Sequence, residues 1–303
     1  MVAVTIIGAG VSGLCIAQEL RDLGADVQIY DRSGAPGPQA CSWWAGGMLA
    51  PFCEGESAEE EVVRLGGEAA KWWQSKTGLV KHNGSLVVSQ SRDHGELRRF
   101  ARRTSHFQEV GREQIAELEP DLGGRFSKGL FFASEANLAP RAALTALRDA
   151  LRAKGVEITN EEVNPTDLAK SGLTIDCRGF AARDRLSDLR GVKGEMLMLS
   201  CPDVTLARPV RLLHPRIPLY VVPRGDGIFM LGATMIESSA SRHVTARSLL
   251  ELLSAAYALN PAFGEAEVLE TGVDTRPAFA DNLPRIRRKG NLIQVNGLYR
   301  HGF

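Results

Sequence analysis

Val4-Thr5-Ile6-Ile7-Gly8-Ala9-Gly10-Val11-Ser12-Gly13-Leu14 is a β-branched run that stops in glycine and resumes at helical spacing. Residues 2–7 predict a buried strand, since a short apolar run bounded by glycine suits the interior of a parallel sheet. A helix follows, with Leu14, Ala17 and Leu20 on one face and Gly24 as its stop. Residues 27–30 alternate back into a strand that ends on Asp31. This is the βαβ start of a dinucleotide-binding fold. Gly8 permits the tight turn, Gly10 lets backbone approach a pyrophosphate, and Gly13 lets helix pack on strand. Val11 and Ser12 open the helix, where unpaired N–H groups and the helix dipole favour a diphosphate. Asp31, 18 positions after Gly13, is placed to accept hydrogen bonds from a ribose, with Arg32 beside it. A carboxylate there repels a 2′-phosphate, which disfavours NADP. The motif leaves NAD and FAD both open.

Composition narrows the function classes. The chain has 303 residues, 44% apolar and 24% charged, which suits one large or two interleaved domains. Lys plus Arg and Asp plus Glu both number 36, so no electrostatic footprint exists for nucleic acid or an anionic membrane. Arg98, Arg99, Arg102 and Arg103 lie at helical spacing and read as a solvated face. The five cysteines form no C-x-x-C pair and the six histidines no i, i+4 pair, so neither a disulfide framework nor a metal site is expected. No basic n-region precedes the apolar amino terminus, and no apolar run reaches ~18 residues. A cytoplasmic protein with no membrane partner, open to homo-oligomerisation, is the expectation.

Farther along, residues 33–55 are rich in Gly, Pro, Ala and Ser and read as a long ordered loop, a kind usually functional. Helical patterns are expected over 59–76, with a weak spot at Gly66-Gly67, over 96–118 as two short helices, and from Pro140 to Gly155. Strand signals fall at 86–89, 156–158, 173–177 and 195–200. They continue at 219–222 and 228–231 around the hairpin turn Arg224-Gly225-Asp226-Gly227. A helix over 245–259 stops at Pro261, and the last strands are expected at 266–273 and 291–295.

Ser42-Trp43-Trp44-Ala45-Gly46-Gly47-Met48-Leu49-Ala50-Pro51 is a run of small residues that can lie flat against a large planar ligand. It resembles the flavin-contacting loop of glycine oxidases of the thiamine-biosynthesis type, within the D-amino-acid oxidase superfamily. The resemblance recurs in order at His82-Asn83-Gly84-Ser85-Leu86, Gly194-Glu195, Tyr220-Val221-Val222-Pro223-Arg224 and Gly232-Ala233-Thr234-Met235. It ends with Thr275-Arg276-Pro277 and Asn296-Gly297-Leu298-Tyr299-Arg300-His301-Gly302, and so spans essentially the whole chain.

The resemblance implies an α/β fold with a Rossmann-like FAD-binding domain of glutathione-reductase type and an inserted antiparallel-sheet substrate domain. The FAD-binding part would comprise 1–80, 137–190 and 274–303, and the substrate part 81–136 and 191–273. FAD becomes the expected cofactor, held by the βαβ residues together with Ser42, Ala45, Gly46, Gly47, Met48, Leu49, Gly179, Arg276, Gly297, Arg300, His301 and Gly302. Arg276 matches the arginine that pairs with a substrate carboxylate, a task a planar guanidinium performs through two parallel hydrogen bonds. Tyr220 matches a tyrosine on the same carboxylate, Arg300 a second arginine at the pocket, and Met235 a residue on the substrate side of the flavin. Read without the family, Tyr220 and Met235 are core, Arg300 caps the final strand, and Arg276 is a surface salt-bridge residue heading an Arg-Pro turn between two strand regions. Pro218 stands where some members carry a histidine, and Asp176-Cys177-Arg178-Gly179 is more polar than the usual turn.

The expected reaction is oxidative deamination of glycine, or a similarly small amino acid, with oxygen reduced to peroxide and the imine serving thiamine thiazole synthesis. Alternatives are a sarcosine, D-amino-acid or proline oxidase of the same superfamily, and a flavin- or NAD-binding module without turnover. Family members continue past the final Arg-x-Gly with a helix returning to the flavin domain. The expectation for a chain ending at Phe303 is therefore loose FAD binding and poor turnover.

Overall fold

The computed structural model describes residues 2–216, 218–237 and 243–300. Two sheets organise it. The first has six strands in the order Arg285–Lys289, Leu292–Asn296, Leu173–Asp176, Ala3–Ile7, Asp26–Asp31 and Ile158–Asn160. All neighbours are parallel except the hairpin Arg285–Lys289 with Leu292–Asn296. The helices Val11–Asp22 and Pro140–Ala153 cover it, packing Leu14, Ala17, Ala143, Leu144 and Leu147 on Val4, Ile6, Val27 and Ile29. Trp73, from the helix Ala69–Thr77, closes the same core. Ala3–Ile7, Asp26–Asp31, Leu173–Asp176 and Leu292–Asn296 are strands, and Val11–Asp22 and Pro140–Ala153 helices, where the β-branched and 3.6-periodic runs predict them.

The second sheet has eight strands, in the order Glu267–Ala278, Arg190–Ser200, Ile228–Gly232, Leu219–Gly225, Val210–Leu213, Ser85–Ser89, Lys128–Phe132 and Gln108–Gly111. Its neighbours are antiparallel except Val210–Leu213 against Ser85–Ser89. The helix Ala246–Leu259 buries Leu252, Ala256 and Leu259 on one face, against Leu197, Leu199, Leu219 and Leu231. Apolar cover on that face leaves the other free to line a cavity. The result is an α/β fold with a dinucleotide-type parallel sheet beside an antiparallel one.

Several sequence expectations need correction. Residues 108–111 form an edge strand inside the span read as helical; only Val110 of it is buried, too little for an alternation to register. Arg285–Lys289, Arg-Ile-Arg-Arg-Lys, also forms an unforeseen strand, at an edge where basic side chains discourage further pairing. The strand expected at 156–158 lies at Ile158–Asn160. The loop over 33–55 contains a 3₁₀ turn Cys41–Trp44, a two-residue strand Met48–Leu49 and a helical turn Pro51–Glu54. Arg276 heads no turn: it lies inside the strand Glu267–Ala278, opposite Val192.

Candidate active site

The turn after Ala3–Ile7 is built as its glycines require. Gly8 has φ +104°, and a Cβ there would stand 2.6 Å from the Cys177 carbonyl oxygen. A Cβ on Gly13 would fall 1.8 Å from the Gly8 oxygen. Gly10 differs: its nearest neighbours would be Ser42 Oγ at 3.5 Å and Ala40 Cβ at 4.0 Å, so the protein by itself has room for alanine. A flat backbone at that point suits a ligand lying on it. The helix Val11–Asp22 starts at Gly10 with no side-chain cap and no acid in its first turn, and Val11 N–H donates to Ser42 Oγ at 3.3 Å. Asp31 accepts from Ala9 N–H at 2.9 Å and from Ser33 N–H at 2.8 Å. Its carboxylate thus fixes the turn, and each oxygen keeps a lone pair for a ribose hydroxyl. Arg32 beside it is exposed. Uncapped helix start, bare Gly10 and acid-tipped strand fit an FAD diphosphate and ribose.

The small-residue loop is held from three sides. The Trp44 ring occupies a slot left by Gly272, where a Cβ would come within 2.1 Å of it, and its indole N–H donates to Pro38 O at 2.9 Å. Arg141 lies 5.0 Å from the Trp43 ring centroid and 5.1 Å from that of Trp44, and pairs with Glu270 at 2.8 Å. Arg224 donates to Gly46 O at 2.8 Å and Leu138 O at 3.1 Å. Burial lowers the Arg224 guanidinium to about 10, still charged near neutrality. Gly47 adopts φ +68°, and Met48–Leu49 pairs with Ala136–Asn137. Leu49 faces the core, 2% exposed, whereas Ser42, Ala45, Gly46, Gly47 and Met48 border a cavity.

That cavity, about 420 Å³, lies between the loop and the free face of the antiparallel sheet. Arg276, Tyr220, Met235 and Arg300, four distant residues, all line it. Arg276 donates through one NH₂ to Thr234 O at 2.9 Å, while its buried Nε has no hydrogen-bond partner among the described residues. Tyr220 sits opposite Arg211 and Gly232 in the sheet. Burial pushes its hydroxyl above the usual phenol range despite Arg276 nearby, so it remains a donor. The Tyr299 ring lies 5.2 Å from both the Arg276 and Arg300 guanidinium carbons, and its hydroxyl reaches Met235 Sδ at 3.4 Å. Arg300 bonds Ser57 Oγ, and its Nε is likewise buried without a partner among the described residues. Burial pushes the Cys41 thiol at the cavity wall up to about 12, which removes it as a thiolate nucleophile.

Gly179 (φ +58°) and Gly297 (φ +87°) lie at the carboxyl ends of parallel strands and do not line the cavity. They are joined through Asn296 Nδ2, which donates to Gly179 O at 2.8 Å. His301 and Gly302 fall outside the described residues. Sequence reading missed Arg224 and Thr234 as supports. It also missed the Glu54–Arg211 ion pair at the cavity, whose partners are 157 positions apart. Arg224 and Thr234 do fall in the quoted 220–224 and 232–235 runs, the one signal that could have marked them. No metal cluster occurs among the described residues, and no described helix is long and apolar enough to cross a membrane.

Comparison with known proteins agrees with this geometry. Residues 3–303 match the family described as FAD dependent oxidoreductase. The chain is 53% identical over 297 residues to the "Putative thiamine biosynthesis oxidoreductase ThiO" of Rhizobium etli, covering 98% of this chain and 90% of that one. It is 26% identical over 324 residues to a glycine oxidase of Pseudomonas aeruginosa, covering 93% and 85%. Among solved structures, the glycine oxidase of Geobacillus kaustophilus has the same fold, with a TM-score of 0.80 at 21% identity over 100% of this chain and 91% of that one. With a dinucleotide-type turn that fits FAD, a cavity beside it and a match from residue 3 to residue 303, this chain belongs to the FAD-dependent oxidoreductase family.

Proposed function

We propose that this chain is an FAD-dependent oxidase of glycine or a similarly small amino acid, with oxygen as acceptor, serving thiamine thiazole synthesis. The observation that carries the reading is the convergence of Arg276 and Tyr220 on a cavity bordered by the small-residue loop. A binding module without turnover has no use for a carboxylate clamp. The relative named for thiamine biosynthesis, at 53% identity, supports the pathway.

Bound FAD would supply the two-electron oxidation of the amine to an imine, with oxygen as final acceptor giving peroxide and water releasing the oxo acid and ammonia from the imine. The chain's own residues bind and orient. Gly10, Val11, Ser12 and Asp31 would hold the diphosphate and ribose, and Ser42, Ala45, Gly46, Gly47 and Met48, which border the cavity, would face the ring system. Arg276 offers Nε–H and a terminal N–H to the substrate carboxylate, the fork Thr234 O leaves unused. Tyr220 donates to the same carboxylate. No side chain is assigned as base, because an amine that reaches the cavity neutral needs none. Met235, Tyr299 and Arg300 also line the cavity. The division into an FAD-binding part of 1–80, 137–190 and 274–303 and a substrate part of 81–136 and 191–273 belongs to the same reading.

The test is peroxide and ammonia release by FAD-loaded protein across glycine, sarcosine, D-alanine and D-proline. The highest kcat/KM is expected with glycine. A preference for another amine would move the substrate within the superfamily, and no peroxide with any would overturn the enzyme reading.

A further inference from the structure

Gly194 lines the cavity, and Gly232 ends the neighbouring strand just before Ala233, a lining residue to which it is joined by a cis peptide bond. Gly194 and Gly232 lie in strand interiors or ends, and neither has a positive φ. Glycine weakens a strand, so its presence there marks a close approach by something else. For both, what approaches is the carboxylate clamp. A Cβ on Gly232 would stand 2.8 Å from the Tyr220 hydroxyl oxygen, 2.9 Å from Cζ and 3.0 Å from Cε2. A Cβ on Gly194 would meet Arg276 Nε at 3.3 Å and Cζ and NH2 at 3.4 Å. In each case the three nearest atoms all belong to the clamp residue.

The register explains this. Gly232 is directly opposite Tyr220, and Gly194 pairs with Asp274, two positions from Arg276 on the neighbouring strand. The Tyr220 ring leans over the missing side chain at Gly232, and Gly46 of the loop forms its other wall, where a Cβ would be 2.9 Å from Cε2. The Arg276 guanidinium lies over the bare backbone of Gly194. Its one hydrogen bond among the described residues, to Thr234 O, is set from the same place, since Thr234 N–H donates to Glu195 O at 3.2 Å and Glu195 N–H to Thr234 Oγ1 at 3.0 Å.

We infer that Gly194 and Gly232 are positioning residues for substrate binding, their absent side chains setting how deep the Arg276 fork and the Tyr220 hydroxyl sit. This rests on the assignment of Arg276 and Tyr220 as the clamp. A methyl at Gly194 displaces the guanidinium by a few tenths of an ångström, and one at Gly232 displaces the ring farther.

The experiment uses FAD-loaded Gly194→Ala, Gly232→Ala, Arg276→Lys and the double variant Gly194→Ala/Arg276→Lys. It reads KM and kcat for glycine, the Kd of acetate from the change in cofactor absorbance, and thermal melting. Gly194→Ala is expected to raise KM and acetate Kd about three- to tenfold, as partial loss of a charge-assisted bond would, with kcat within about twofold. Gly232→Ala should raise them more, and the melting temperature of Gly194→Ala should hold. In the Arg276→Lys background the Gly194 change should add nothing, because the group it displaces is gone. Unchanged KM in Gly194→Ala, or effects that multiply in the double variant, would overturn the positioning role while leaving the clamp intact. If Arg276→Lys itself leaves KM and acetate Kd unchanged, the clamp fails and the inference falls with it.

Discussion

Arg276 keeps one N–H on Thr234 O and a buried Nε with no protein partner among the described residues, the state of a donor waiting for an acceptor. In the proposed clamp, removing it would strand the substrate carboxylate without its cation. Arg276→Ala should cost about 2–5 kcal/mol of binding, read as a rise in glycine KM; Arg276→Lys keeps the charge, loses the fork and should fall between. Tyr220→Phe deletes one donor and leaves the guanidinium, so a smaller rise of about tenfold is expected. At the other end of the site, Asp31→Arg should weaken FAD binding about ten- to a hundredfold by losing charge-assisted bonds. Asp31→Asn, which can still accept from Ala9 N–H, should do less. Equal dissociation constants for these variants and wild type, by cofactor titration, would remove Asp31 from the ribose. At this scale the βαβ residues were readable from spacing alone. Arg276 and Tyr220 needed the family resemblance, since an isolated Tyr in a hairpin strand carries no sign of a ligand. Arg224 and Gly194 stayed hidden because their work depends on what folds over them.

Elements meet at Glu135, 1% exposed, which precedes the strand Ala136–Asn137. It accepts from Cys53 N–H at 2.6 Å and pairs with Ser85 Oγ, tying the helical turn Pro51–Glu54 to the antiparallel sheet beneath the cavity. Burial pushes its carboxyl up to about 7, against the pull of these donors and Arg211. A folded value above the unfolded one means the native state holds the proton longer. Stability is therefore full at acidic pH and declines as pH rises towards about 7, with no further loss above it. The size is about 3 kcal/mol. Glu135→Gln should remove this slope, so urea unfolding of wild type and variant from mildly acidic to neutral pH should diverge in the variant's favour. Parallel curves would show that Glu135 is ionised throughout. Long periodic elements, such as Val11–Asp22 and Pro140–Ala153, were legible in sequence. The edge strands Gln108–Gly111 and Arg285–Lys289 were not, because an exposed edge rich in charge carries no alternation.

Across the whole molecule, the parallel sheet gathers strands from residues 3–31, 158–176 and 285–296, and the antiparallel sheet from 85–132 and 190–278. Only long-range pairing brings the small-residue loop, the Arg276 strand and the Tyr220 strand to one cavity. No local pattern encodes that closure; the ordered run of family motifs did. The cavity beside an FAD-compatible turn yields one central claim, that a small amino acid clamped by Arg276 passes its electrons to bound FAD. The most direct measurement is to mix FAD-loaded protein anaerobically with glycine and follow the visible absorbance of the oxidised cofactor in wild type and Arg276→Ala. Glycine should bleach the wild-type absorbance, admission of air should restore it with release of peroxide, and Arg276→Ala should need far more glycine for the same bleaching. Wild-type absorbance that glycine leaves untouched, or bleaching with the same glycine dependence in both proteins, would contradict the claim.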